Sequence, residues 1–254
     1  MNSLKSQKQS RKLLFLSLLI IFPFLSFSQN ADSLHSKISV HGAITATNNG
    51  ISVIPTFMLG KPATIFDLVV AKNKFSFEPQ FRFAIEDVKP WSFIFWFRYK
   101  LVQSEKFKMG IGAHPSTVFS STVGTVNGVT KDLITVRRFW AAELTPTYKI
   151  SQNVNVGIYY LYSRGLADAT KNTNFVALSA SLSNIKISND VTFKIAPQLY
   201  YLQMDDKEGY YVTSTFSLAK RNFPISLSSI MNKKIDSTIP SEDFVWNISM
   251  TYSF

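Results

Sequence analysis

In the stretch AHPST (113–117), His114 and Ser116 stand two positions apart. A serine activated by a histidine is a nucleophile for acyl transfer, provided a third polar group orients the imidazole. In an extended chain, residues i and i+2 share a face, so the two side chains point the same way. The other histidines are His35 and His41, and the chain has no cysteine and no His-x-x-x-His pair. Local sequence therefore offers no ligand set for a metal, and no metal or cofactor is expected. His114 and Ser116 are the catalytic candidates. The alternative is a histidine that faces the interior at the start of a long loop.

The remaining residues with chemistry to offer are charged. Glu78, Arg82, Arg98, Lys100, Lys108, Arg137, Glu143 and Lys194 fall on the polar face of alternating segments, as do His41, Asp67 and Glu86. In KFSFEPQFRFAIE (74–86), Phe75, Phe77, Pro79, Phe81, Phe83 and Ile85 take one face, and Glu78, Arg82 and Glu86 the other. In WSFIFWFRYKL (91–101), Trp91, Phe93, Phe95, Phe97, Tyr99 and Leu101 oppose Ser92, Ile94, Trp96, Arg98 and Lys100. VTFKIAPQLYY (191–201) sets Lys194 apart from Val191, Phe193 and Ile195 in the same way. A period of two is the strand period, and no helix separates these sets so cleanly.

The elements that must position these residues are therefore strands, and composition says in what medium. Of 254 residues, 46% are hydrophobic, 14% aromatic and only 17% charged, with 22 phenylalanines, yet mean hydropathy is +0.06. Alternation averages to such a value, whereas a bundle of membrane helices does not. A leader precedes the strands: Lys5, Lys8, Arg11 and Lys12 form a basic segment, and the apolar run Leu13 to Phe27 follows. Ser26 and Ser28 place cleavage before Gln29. Residues 1–28 are expected to be a signal peptide, 29–36 a short lead-in, and 37–254 one barrel domain. The leader holds four of the 27 basic residues and none of the 16 acidic ones, which leaves the mature chain at +7. That excess favours anionic headgroups or solutes.

A sandwich would turn the apolar face inward, and a transmembrane barrel turns it to lipid. The connections favour the barrel. Ser104–Lys106, Ser151–Asn153, Ser188–Asp190 and Lys220–Asn222 are tight turns that alternate with longer stretches, including EDVKP, residues 115–131, RGLADATKN, DDKEG (205–209) and NKKIDSTIPSE. Strand-end aromatics at Trp91, Trp140, Tyr159–Tyr160, Tyr200–Tyr201 and Tyr210–Tyr211 suit interfacial girdles. The chain closes on WNISMTYSF, with Ile248, Met250, Tyr252 and Phe254 at alternate positions. This ending resembles the outer-membrane β-barrel proteins of Gram-negative bacteria. The resemblance implies that barrel-assembly machinery reads those four residues as an insertion signal. It also implies outer-membrane lipids and lipopolysaccharide as surroundings. The cleavage context SFSQ (26–29) is similar to secreted proteins of the Bacteroidetes.

The expected fold is all-β: a transmembrane antiparallel up-and-down barrel of about 12 strands, with 10 to 14 as the range. The expected strands are 37–47, 64–71, 74–86, 90–103, 106–114, 132–149, 152–164, 172–184, 190–203, 209–220, 223–232 and 243–254, with 48–63 unassigned beyond a possible extension of the second strand back to 53. Inward basic residues outnumber acids, so the lumen either lines a narrow path for a small polar or anionic solute or closes on a network of Glu78 and Glu143 with the arginines. The second reading makes a structural or anchor barrel of an envelope complex. The third is a lipid-modifying enzyme, because AHPST is similar to the His-x-Ser element of one outer-membrane deacylase family. That family's following residues and acidic partner have no match. The basic and aromatic run FWFRYK (95–100) is read as lumen lining, with no nucleic acid as partner. Arg138 is expected to reach the outer headgroups.

Overall fold

The computed structural model describes residues 37–52, 54, 56–126, 129–167 and 169–254. The leader and lead-in expected over 1–36 lie outside the described residues. The strands are β1 (Ser39–Thr47), β2 (Ala63–Lys72), β3 (Phe75–Ala84), β4 (Pro90–Gln103), β5 (Phe107–Val126), β6 (Val129–Lys149), β7 (Val154–Leu166), β8 (Asn172–Lys186), β9 (Val191–Met204), β10 (Lys207–Lys220), β11 (Ile225–Ser237), β12 (Phe244–Trp246) and β13 (Ser249–Ser253). Each pairs antiparallel with its chain neighbours, and β13 pairs with β1 on one side and β11 on the other. That last pairing closes the sheet. β12 and β13 are two halves of one stave, so the barrel has twelve.

Alternation explains the wall. Phe66, Phe97, Ile111, Leu144, Ile158, Leu178, Leu199, Val212, Leu227 and Met250 are all exposed on the outer face. So continuous an apolar belt exceeds what a monomer shows to water, and suits lipid. Closure removes the free edges that such strands would otherwise leave. Both ends of the barrel domain lie at one rim, here the near rim. The connections at the near rim are short, and Asn73 and Asn222 there adopt left-handed φ of 56° and 55°, a conformation asparagine tolerates.

Four features differ from the sequence expectation. Residues 115–126 and 129–131 are not a loop: β5 and β6 pair without interruption from Phe107↔Tyr148 to Val126↔Val129. Thr- and Val-rich alternation carries the strands onward. Their other partners stop at Val118 and Arg138, so a two-stranded ribbon rises past the wall. Asn127 and Gly128, at its end, lie outside the described residues. The acidic stretch DDKEG is a two-residue turn, because Asp205 accepts a φ of 52°. The final strand is broken at Asn247–Ile248. Trp91, expected on the outer face, is buried at 6% exposure. A bulge between Arg82 and Phe83 in the β3–β4 pairing shifts the alternation there.

The described residues of 48–62 belong to none of these strands. They turn inward from β1, with a bridge between Ile51 and Met58 and backbone bonds from Leu59 N to Gly50 O and from Gly50 N to Lys61 O. Ile54 ends in a cluster with the inward-facing Trp96, Leu161, Phe175, Tyr200, Leu202 and Tyr211, joined by Ile239 from the β11–β12 loop. Thr56 Oγ1 lies 3.2 Å from Tyr200 Oη, which donates to Asn232 Oδ1 at 2.8 Å. Part of the far half of the interior is thus occupied by aromatic and aliphatic side chains. A twelve-stave barrel lies between the eight-strand barrels that side chains fill and the barrels of about 16 to 18 strands that leave an aqueous channel, and the inserted loop takes up part of its interior.

Candidate functional site

The site is built on β3 to β7, where inward positions carry the charges. Arg98, on β4, projects into the lumen between β3 and β5. Its guanidinium lies over the Trp96 ring, 4.1 Å from the centroid. It donates to Glu78 Oε2 and, through Nε, to Glu143 Oε1 at 2.6 Å. Tyr159 Oη donates to Glu143 Oε2 at 2.6 Å, and Ser76 Oγ donates to Glu78 Oε1, also at 2.6 Å. Glu143 stands opposite Gly112 in the ladder. A Cβ at Gly112 would come 2.8 Å from Glu143 Oε1 and 3.0 Å from Arg98 Cγ, so glycine is what lets the pair close. Trp96 also meets the His114 ring edge to face, with centroids 4.1 Å apart. Together these groups form one layer on the lumen side of β3 to β7.

Two cavities lie on either side of this layer, and Tyr159 borders both. The near cavity, about 640 Å³, is lined by Lys100, Lys106, Lys108 and Lys149 with Thr145, Thr147 and Asn155. None of those four lysines forms an ion pair among the described residues. The far cavity, about 600 Å³, reaches the rim at Lys61 and Glu86 and is walled by Trp91, Trp96, Phe139 and Leu161 and by Phe57, Met58 and Leu59 of the inserted loop. Arg82, 5% exposed, sits in its wall. It donates to Ser52 Oγ at 3.2 Å and Gln80 Oε1 at 3.1 Å, and lies 5.3 Å from the Trp91 ring centroid. Lys61 pairs with Glu86 at 2.9 Å across the mouth.

The stem of the inserted loop is clasped by asparagines at the broken final strand. Asn247 Oδ1 accepts from Ile230 N at 2.8 Å, and its amide donates to Asn49 O at 3.3 Å. Asn48 Oδ1 accepts from Ile248 N at 2.7 Å. The interruption of the stave is thus satisfied by side chains, as buried backbone groups require.

The structure brings Glu78, Arg98 and Glu143 together. Lys100 and Lys108 line the near cavity, and Arg82 and Arg137 the far one. Lys194 takes the inward phase of β9 toward the near rim and is exposed. Arg138 is exposed on the outer phase of β6. His114 and Ser116 both line the far cavity, 7% and 8% exposed. No hydrogen bond joins them, and successive inward positions on one strand stand about 7 Å apart. Among the described residues, no group of three or more His, Asp or Glu could hold a metal ion. Ile248, Met250, Tyr252 and Phe254 are all exposed on the outer face. Phe254 packs over Gly42, where a Cβ would meet its ring at 2.7 Å.

Tyr159, Tyr200 and Tyr211, expected in interfacial girdles, face the interior instead, Tyr159 on Glu143 and the other two in the cluster around Ile54; the Arg82–Trp91 stack and the inserted loop were missed. The signal for the loop was present: Ile51, Ile54, Phe57 and Met58 are four large apolar residues in a segment without strand alternation.

A closed twelve-stave antiparallel barrel with an apolar outer belt and a charged interior layer has the fold of the outer-membrane β-barrels. Solved structures of that class are similar. An outer membrane channel from Pseudomonas putida F1 matches with TM-score 0.52 and 11% identity, over 89% of this chain and 100% of that one. The KdgM porin matches with TM-score 0.52 and 10% identity, over 84% and 99%. The KdgM porin in complex with disordered oligogalacturonate gives 0.51 and 10%, over 85% and 98%. No protein-family model matches the chain, and no curated protein matches it.

Proposed function

We propose that the protein is an outer-membrane barrel that binds small anionic solutes and passes them through a narrow, gated lumen. One observation carries this reading. The lumen holds two cavities that reach opposite rims and are divided by a single layer of side chains. The acids of that layer are engaged by Arg98, while the near cavity keeps four lysines without ion pairs. A solute entering there meets net positive charge in a confined, low-dielectric space, which favours anions. The far rim, with the ribbon and the longer loops, is then the extracellular side, and the leader exports the chain. The similar porin that holds oligogalacturonate, a carboxylated sugar chain, supports an anion as cargo.

A second reading has its own observation. The cluster around Ile54 occupies part of the far half beside the far cavity, which favours a closed barrel serving as an anchor in an envelope complex. Planar-bilayer recording of the refolded protein separates the two. Stepwise currents with chloride carried in preference to potassium are expected. Currents that favour cations overturn the anion reading. A silent membrane, with folding shown by heat-modifiable gel mobility, establishes the closed barrel instead.

A further inference from the structure

We propose that the far cavity is a binding site for an amphipathic carboxylate, a molecule with one carboxylate head and an aromatic or alkyl body. This rests on the reading of the barrel as an anion carrier and names the kind of anion. Three buried side-chain atoms without a hydrogen-bond partner belong to residues that line this one cavity: Arg82 Nε, Ser92 Oγ and His114 Nδ1. Arg82 and Ser92 are direct cross-strand partners, so their free donors converge. Arg82 is 95% buried by its 5% exposure, yet no carboxylate forms an ion pair with it among the described residues. Asp67 stands one rung toward the near rim, opposite Gln80, and its Oδ1 is itself without a partner. Asp67 therefore acts on Arg82 through space, without contact; a buried guanidinium with no carboxylate in contact is unfavourable, and a bound anion relieves it.

The rest of the cavity selects the body. Trp91, Trp96, Phe139 and Leu161 present apolar surface. A sugar acid or inorganic anion would satisfy Arg82 but set its own hydroxyls or hydration shell against these walls. A neutral hydrocarbon would fill the walls and leave Arg82, Ser92 and His114 unpaired. A carboxylate head at Arg82 and Ser92, with an apolar body directed toward Trp96 and Phe139, satisfies both. A cavity of about 600 Å³ falls in the usual range for small-ligand pockets. Such a ligand has two sources: an aromatic acid from solution, or a fatty acid from the membrane.

The test uses the full mature barrel in lipid nanodiscs, with 4-phenylbutyrate and dodecanoate as probes and their neutral amides as controls. Titration calorimetry gives affinity, and tryptophan emission reports Trp91 and Trp96 once Trp140 and Trp246, exposed on the outer face, are replaced by phenylalanine. Each acid is expected to bind at least about tenfold more tightly than its amide, the scale of a charge-assisted hydrogen bond. Arg82→Gln is expected to bring the acid down to the amide and leave the amide unchanged. The acid-to-amide ratio in the wild type decides the matter even if the variant does not fold. Equal binding of acid and amide overturns the proposal, as does inorganic phosphate binding as tightly as the acids. Tighter phenylbutyrate binding assigns the source to solution. Tighter dodecanoate binding, with fatty acid extracted from the purified protein, assigns it to the membrane. Anion currents with no acid binding refute this site and leave the channel standing. Acid binding to a silent barrel refutes the channel and leaves the site.

Discussion

Replacing Glu143 by alanine should open the layer that divides the lumen. Glu143 accepts from Arg98 Nε at 2.6 Å and Nη2 at 3.4 Å, and from Tyr159 Oη at 2.6 Å. Its side chain is 4% exposed, that of Arg98 31%. Hydrogen bonds to a charged group contribute roughly 1.5–3 kcal/mol each. Arg98 keeps Glu78 and the Trp96 face, and its partial exposure lets water replace some of what is lost. The net loss should be about 2–4 kcal/mol, readable as a lowered urea midpoint for the barrel in vesicles. The gap left beside Gly112 has no Cβ to fill it, so the two cavities should join and single-channel current should rise above wild type. Glu143→Gln, which keeps the shape and the Tyr159 contact, should lose less stability and leave the current near wild type. Wild-type current from a folded Glu143→Ala barrel would refute the view that this layer is the barrier.

Other expectations follow from single contacts. Ile54→Asp would set a carboxylate among Trp96, Phe175 and Leu202; the inserted loop should leave the lumen, seen as new protease cleavage within 48–62. Asn247→Ala removes bonds to Ile230 N and Asn49 O and should cost about 1–3 kcal/mol in urea unfolding. The Lys234 ammonium, bonded to Asp243 at 2.7 Å, holds that carboxyl below its ordinary value. The stability this adds is complete above the pKa of the unfolded carboxyl and is lost as pH falls through the lowered folded value. Proteolysis at 238–243 should therefore rise on acidification, modestly because Asp243 is 75% exposed, and Asp243→Asn should abolish that dependence.

The sequence alone determined the wall. Strict alternation over segments such as Phe75–Ala84 and Pro90–Gln103 leaves a strand no other phase, because a slip by one residue would exchange lipid-facing and lumen-facing sets. The inward charges and the outward Ile248, Met250, Tyr252 and Phe254 follow from that local rule. What fills the lumen does not. The inward face carries Trp96, Tyr200 and Phe175 as well as Arg98, and a period of two says which way a side chain points, not whether it meets water or another ring. The bulge that turned Trp91 inward depends on pairing between β3 and β4. Residues 48–62 have no period at all, and their place is set by contacts with Trp96 and Tyr200 and by Asn247, far away in the chain. Only the pairing of β3 to β6, with Gly112 standing between Arg98 and Glu143, brings Glu78, Arg98 and Glu143, from three staves, within hydrogen-bond reach. It was therefore the tertiary structure that decided between a lumen of scattered charges and one divided by a paired layer.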